Sequence, residues 1–211
     1  MRLSTTFFPV LVFTTAAFAQ NREIGIGIGF GFYRDVSIAN TNGTAQAGFG
    51  PRFALSAAGG FNWADHFGAE ARYTFQDGDL ALRSGLREAN LDGEAHSLLG
   101  EMLFYASARR KRFRPFAAAG FGVKLYRGTE AVSGVRPLTE FATLQTASQF
   151  RPLLTFGGGL RYALSDRWML RLDLRDYLTP FPTGVIAPAP GSKSGGWLHD
   201  FVPVLGVGRT F

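Results

Sequence analysis

The sequence predicts an all-β fold: an eight-stranded antiparallel up-and-down transmembrane β-barrel behind a cleavable signal peptide. Three observations predict it. Eight segments of about ten residues alternate strictly between apolar and small or polar side chains, a period of two that belongs to strands. The connections between them alternate long, short, long, short, long, short, long. The first residues carry an export pattern. The clearest segment is Trp168–Leu178, with Trp168, Leu170, Leu172 and Leu174 on one face and Arg171, Asp173 and Arg175 on the other. A soluble sheet buries the apolar face. A membrane barrel turns it to lipid and keeps the charged face in the lumen.

The leader comes first. Arg2 supplies a positive start, Phe7–Phe13 an apolar core and Ala17-Phe18-Ala19 a small-x-small cleavage site before Gln20. This is the pattern of a secretory signal peptide over 1–19, too short to span a membrane. The expected mature domain is 20–211. Loss of Arg2 takes the net charge from +6 to +5, since residues 1–19 hold no acid. The chain has no cysteine, so neither a disulfide nor a lipid-modified cysteine anchor is expected. No run of about 18 apolar residues follows the leader, so any membrane span must be a closed barrel. The 27 glycines and 21 phenylalanines suit one, with glycine inward where space is short and phenylalanine outward.

Strand one is 24–33, with Ile24, Ile26, Ile28, Phe30 and Phe32 opposite four glycines. Its Gly-x-Gly spacing resembles a dinucleotide fingerprint, but Phe32 stands where the third glycine belongs and no helix follows. Residues 34–50 read as a polar loop. Strand two, 52–63, places Phe53, Leu55, Phe61 and Trp63 against Ala54, Ser56 and Gly60. Strand three, 68–76, sets Tyr73 and Phe75 against Glu70 and Arg72. Residues 77–93 read as a second polar loop. Strand four, 94–106, has Leu98, Met102 and Phe104 outward and Glu101 inward. The short turn 107–112 is basic. Strand five is 115–127, with Phe121 and Val123 opposite Gly120, Gly122 and Lys124. Residues 128–148 form a third loop. Strand six, 149–163, sets Phe156, Leu160 and Tyr162 against Gly157, Gly159 and Arg161. The turn 164–167 leads to strand seven. A Pro/Gly/Ser-rich loop, 179–197, precedes strand eight, 198–211. Short turns belong on the periplasmic side and long connections outside. Trp63, Tyr162, Trp168 and Phe211 then share a periplasmic aromatic girdle.

Residues 20–211 resemble the small eight-stranded outer-membrane barrels of the OmpA/OmpX type. The closing strand FVPVLGVGRTF carries the resemblance most directly. Its Phe211, with Val207 and Leu205 on the same face, is similar to the terminal signal read by the barrel-assembly machinery. Arg209 stands where an aromatic is usual. The resemblance implies an outer-membrane location in a Gram-negative-type envelope, reached by Sec export, with outer-membrane lipids and the assembly machinery as partners. No peptidoglycan-binding domain is expected after strand eight.

The inward set is Glu70, Arg72, Glu101, Lys124, Arg161, Arg171, Asp173 and Arg175. Matching the polar faces of each hairpin puts Arg72 opposite Gly60, Glu101 opposite Gly120, Asp173 opposite Gly159, Arg175 opposite Gly157, and Arg161 opposite Arg171. Eight strands leave room only for side chains. A salt-bridge network that plugs the lumen is therefore expected, and a narrow anion-favouring pore is the alternative. The expected role is structural or interactional, through external loops whose partner no motif names. An outer-membrane lipid-modifying enzyme and a soluble exported ligand-binding barrel are further alternatives. Against an enzyme, His96-Ser97 and His199-Asp200 are neighbours that point to opposite faces, and His66 lies in a turn. No cofactor or metal spacing appears. The dense basic run Arg109, Arg110, Lys111, Arg112 and Arg114 is read as a solvated periplasmic turn near anionic headgroups. Export argues against nucleic acid as its partner.

Overall fold

A computed structural model describes residues 22–129 and 137–211. The expected leader, 1–19, and part of the third long connection lie outside the described residues.

Among the described residues fifteen strands follow one another: β1 (Arg22–Arg34), β2 (Val36–Asn40), β3 (Gly43–Phe49), β4 (Arg52–Asn62), β5 (Phe67–Asp77), β6 (Leu80–Ser84), β7 (Arg87–Leu91), β8 (Gly93–Tyr105), β9 (Phe113–Gly128), β10 (Ala142–Leu144), β11 (Ser148–Ala163), β12 (Trp168–Pro180), β13 (Ile186–Pro188), β14 (Lys193–Ser194) and β15 (Trp197–Thr210). Eight of them close a barrel in the order β1-β15-β12-β11-β9-β8-β5-β4. Every neighbouring pair is antiparallel, and β1 pairs with β15, so the barrel has no free edge.

The alternation read from the sequence sets the two faces. Ile24, Ile26, Ile28, Phe30 and Phe32 each stand at least half exposed on the outer wall. Leu98, Phe121, Phe156, Leu172 and Leu205 continue that apolar band around the barrel. Trp63, Tyr162, Trp168 and Phe211 lie outward at the short-turn end, and Trp63 stacks on Phe67 at a ring separation of 6.4 Å. The backbone nitrogen of Phe211 donates to the carbonyl of Arg22, which ties the chain end to β1.

The long connections differ from the polar loops expected for 34–50, 77–93, 128–148 and 179–197. Hairpin β2–β3 and hairpin β6–β7 join with β14 into a five-stranded sheet of order β14-β2-β3-β6-β7, and β10 pairs with β13. Two features explain this. The barrel strands overshoot the bilayer: β9 and β11 have 16 residues each, where a tilted span needs about 9–11. Their projecting ends carry the added sheets. The hairpins also bring short apolar alternations, Val36 and Ile38 in β2 and Leu80 and Leu82 in β6. These bury with Leu91, Leu138, Phe141, Leu144, Val185, Ile186 and Leu198 in a core of their own. Gly85, at φ 58°, makes the tight turn of β6–β7, where Ser84 pairs with Arg87. The long-connection end is thus a folded cap with an apolar interior.

One register expectation is corrected. Arg72 lies opposite Ala58, and Gly60 faces Glu70. The turn after β4 is wider than four residues, since Asn62 pairs with Gly68. A shift of two positions keeps every side chain on its face, so Arg72 still points inward.

Candidate functional site: the charged lumen and its two ends

The inward faces of β5, β8, β11 and β12 place seven of the eight sequence-selected residues in one buried cluster. Glu70, Arg72, Glu101, Arg161, Asp173 and Arg175 are at most 5 % exposed, and Arg171 is 7 % exposed. Like charges start out as cross-strand neighbours: Glu70 opposite Glu101, and Arg161 opposite Arg171. Like charges directly opposite repel. The barrel relieves this by threading opposite charges between them across the lumen. Arg72 donates to Glu70 at 2.7 Å, Glu101 at 3.2 Å and Asp173 at 3.1 Å. Arg171 reaches Glu70 with both terminal nitrogens and places Nε 2.7 Å from Asp173 Oδ2. Arg175 donates Nε to Glu101 at 2.7 Å and a second nitrogen to the Gly158 carbonyl at 2.9 Å. Arg161 pairs with Glu70 and with Glu23. The ring of Phe116 lies 5.4–5.5 Å from the guanidinium centres of Arg161, Arg171 and Arg175. These contacts give each buried charge an opposite partner, without which it would cost several kcal/mol.

Glycines make the room. A Cβ on Gly157 would stand 3.0 Å from Cδ of Arg175 and 2.1 Å from the Leu174 carbonyl oxygen. A Cβ on Gly120 would meet Cγ of Glu101 at 3.0 Å. On the opposite wall, formed by the glycines of β1 and β15, a cavity of about 10 Å3 is left beside Arg72, Arg171 and Asp173. That is about the volume of one water position.

Lys124 stands apart from this cluster. It lies toward the cap, fully buried, paired with Asp200 and donating to Gln76 Oε1 at 2.7 Å. Tyr33, Tyr126 and Tyr177 surround its ammonium at 5.0–5.4 Å. Tyr126 and Thr179 share a hydrogen bond of 2.8 Å, and Tyr177 and Thr74 one of 3.1 Å. Arg52, also fully buried, lies over the Phe49 ring at 4.5 Å. Above this layer sits the apolar cap core.

Sequence reasoning missed Glu23, Arg52 and Asp200. Parity could have found them. Glu23 shares its face with Gly25 and Gly27, Arg52 with Ala54 and Ser56, and Asp200 with Val202 and Val204. Asp200 is masked in the sequence by its neighbour His199. That histidine lies on the outer wall and pairs with Asp176 at 2.8 Å. His96 meets the Tyr73 hydroxyl at 2.7 Å and His66 the Tyr105 carbonyl at 2.7 Å. Among the described residues no group of three His, Cys, Asp or Glu side chains is placed to hold a metal ion.

The basic segment is only partly a solvated turn. Arg114 lies within β9, opposite Arg161, and its side chain points inward with 6 % exposure. Pro115 suggested a strand start, but β11 is long enough to pair two residues further. Arg114 stacks on Tyr105 at 3.8 Å and donates to the Asp65 carbonyl at 2.8 Å. Arg109 folds over the neighbouring turn and donates to the carbonyls of Asn62 and Ala64. Arg110, Lys111 and Arg112 are exposed. Leu205, Val207 and Phe211 of the terminal strand face outward.

Solved outer-membrane barrels share this architecture. The outer membrane protein OprG from Pseudomonas aeruginosa superposes with a TM-score of 0.58 at 15 % identity, covering 91 % of this chain and 97 % of that one. Neisserial surface protein A (NspA) gives 0.53 at 12 %, covering 90 % and 97 %. The outer membrane protease OmpT from Escherichia coli gives 0.53 at 10 %, covering 94 % and 99 %. At such identities the likeness concerns the fold alone. No curated protein matches the sequence. The model of the outer membrane protein beta-barrel domain matches residues 5–190. The chain therefore belongs to the outer membrane protein beta-barrel domain family and is a protein of the outer membrane.

Proposed function

We propose that the protein is a closed outer-membrane barrel that offers its folded external cap as an interaction surface and conducts no solute. The ion-paired layer of Glu70, Arg72, Glu101, Arg171, Asp173 and Arg175 across the lumen carries this reading, and the cavity beside Arg72, Arg171 and Asp173 holds about 10 Å3. A hydrated ion needs a continuous path of several water diameters, and the charged layer occupies the lumen instead. The apolar core of the cap supports closure at the external end as well. Interaction then belongs to the outer surface of the cap, where Arg83, Arg87, Glu88 and Leu86 are exposed.

An enzymatic role stands outside this reading. His66, His96 and His199 bond to the Tyr105 carbonyl, the Tyr73 hydroxyl and the Asp176 carboxylate, and none of these partners is a serine or threonine nucleophile. Delivery to the membrane by the assembly machinery through Leu205, Val207 and Phe211 is part of the proposal, supported by their shared outward face. The test is conductance of the refolded protein in a planar bilayer, with the heat-dependent gel shift as folding control. Silence from folded protein is the expected result. Discrete anion-favouring steps altered by Arg171→Ala would establish the narrow pore instead.

A further inference from the structure

We propose that the periplasmic mouth of the barrel is a binding site for phosphate-bearing anions. The site lies at the end away from the cap and borders the lumenal network through Arg161. A cavity of about 400 Å3 opens between the connections 106–112 and 164–167. This is within the range of small-ligand sites.

Its floor is cationic and fixed. Arg114 and Arg161 sit side by side on β9 and β11, both nearly buried. Glu23 neutralises Arg161 and also accepts from Asn62 at 2.7 Å. Among the described residues no carboxylate lies within 4 Å of Arg114, whose guanidinium is held by the Tyr105 ring and backbone carbonyls. A buried cation beside a second cation is left with surplus positive potential.

The rim adds Arg110, Lys111, Arg112 and Arg167, all exposed, against Asp166. Among the described residues none of these four cations forms an ion pair. Such a surplus over a low-dielectric floor concentrates anions. Guanidinium groups dominate the lining, and their planar forks match phosphate oxygens two at a time. Trp168 and Leu164 also line the cavity, at the level of the aromatic girdle. The mouth is therefore open to two sources of the same chemistry: an inner-leaflet phospholipid headgroup and a soluble phosphorylated solute.

The experiment has two arms and one rim variant, Arg110→Gln/Lys111→Gln/Arg112→Gln/Arg167→Gln, whose exposed positions leave the fold intact by the gel-shift control. In the first arm inorganic pyrophosphate is titrated calorimetrically into the protein in a non-ionic detergent. In the second, Trp63→Phe and Trp197→Phe leave Trp168 as the one tryptophan. Its quenching by brominated phosphatidylglycerol is compared with that by brominated phosphatidylcholine in vesicles. Saturable pyrophosphate binding, weakened about tenfold or more by the rim variant and by added salt, supports the site and points to a soluble source. Preferential quenching by phosphatidylglycerol that the rim variant abolishes supports it and points to the headgroup. Absence of any rim-dependent response in both arms overturns the proposal.

Discussion

Arg72 and Asp173 meet at 3.1 Å across the lumen, although 101 positions separate them in the chain. β12 does not supply enough opposite charge by itself. β5 brings Glu70 and Arg72, and β12 brings Arg171, Asp173 and Arg175. Asp173 holds three arginines in place, Arg72, Arg171 and Arg175. Asp173→Ala is expected to destabilise the barrel by about 3–5 kcal/mol, because it leaves buried guanidinium groups uncompensated. Urea unfolding in detergent, followed by the gel shift, measures it. A loss below about 1 kcal/mol would mean that Glu70 and Glu101 suffice.

Ile26 stands 69 % exposed in the middle of the outer apolar band. Lysine there must leave water for hydrocarbon. Ile26→Lys is expected to cost about 2–4 kcal/mol in a bilayer. Leu86, fully exposed at the β6–β7 turn, should accept lysine within about 0.5 kcal/mol. Folding titrations into phosphatidylcholine vesicles compare the two, and equal costs would contradict the membrane assignment of these faces.

Leu80 is fully buried in the cap core. Leu80→Ala is expected to cost the cap about 2–5 kcal/mol through lost contacts and the void left behind. The barrel hydrogen bonds do not depend on that side chain. Limited proteolysis should therefore cut the cap of the variant faster while the heat-dependent shift persists. Loss of both together would show that cap and barrel unfold as one unit.

The cap should also loosen in acid. A hydrogen bond from the Arg83 side chain holds Glu88 below the ordinary glutamate range, and one from Arg87 does the same for Glu140. A carboxyl whose folded pKa is lowered contributes stability in full above its unfolded value. That contribution is lost as pH falls from the unfolded value, about 4.3, toward the lowered folded one. Amide exchange in β6 and β7 should therefore quicken as pH drops through that window, after correction for intrinsic rates. Glu88→Gln with Glu140→Gln should remove the dependence.

The sequence by itself determined the barrel, the face of each strand residue and the end at which the short turns lie. The reason is that a strand's period of two records its environment locally: lipid on one side and a crowded lumen on the other. Parity alone was enough to turn Arg72 and Asp173 inward. Tertiary structure decided three further things. It chose the partners of each charge, which sit across the lumen on strands far apart in sequence. It set Lys124 with Asp200, away from the main cluster. It also folded the long connections into a cap, because Val36, Ile38, Leu80 and Leu82 become a core only when four connections converge. Contacts of that kind depend on closure of the barrel, and no local pattern in the chain encodes them.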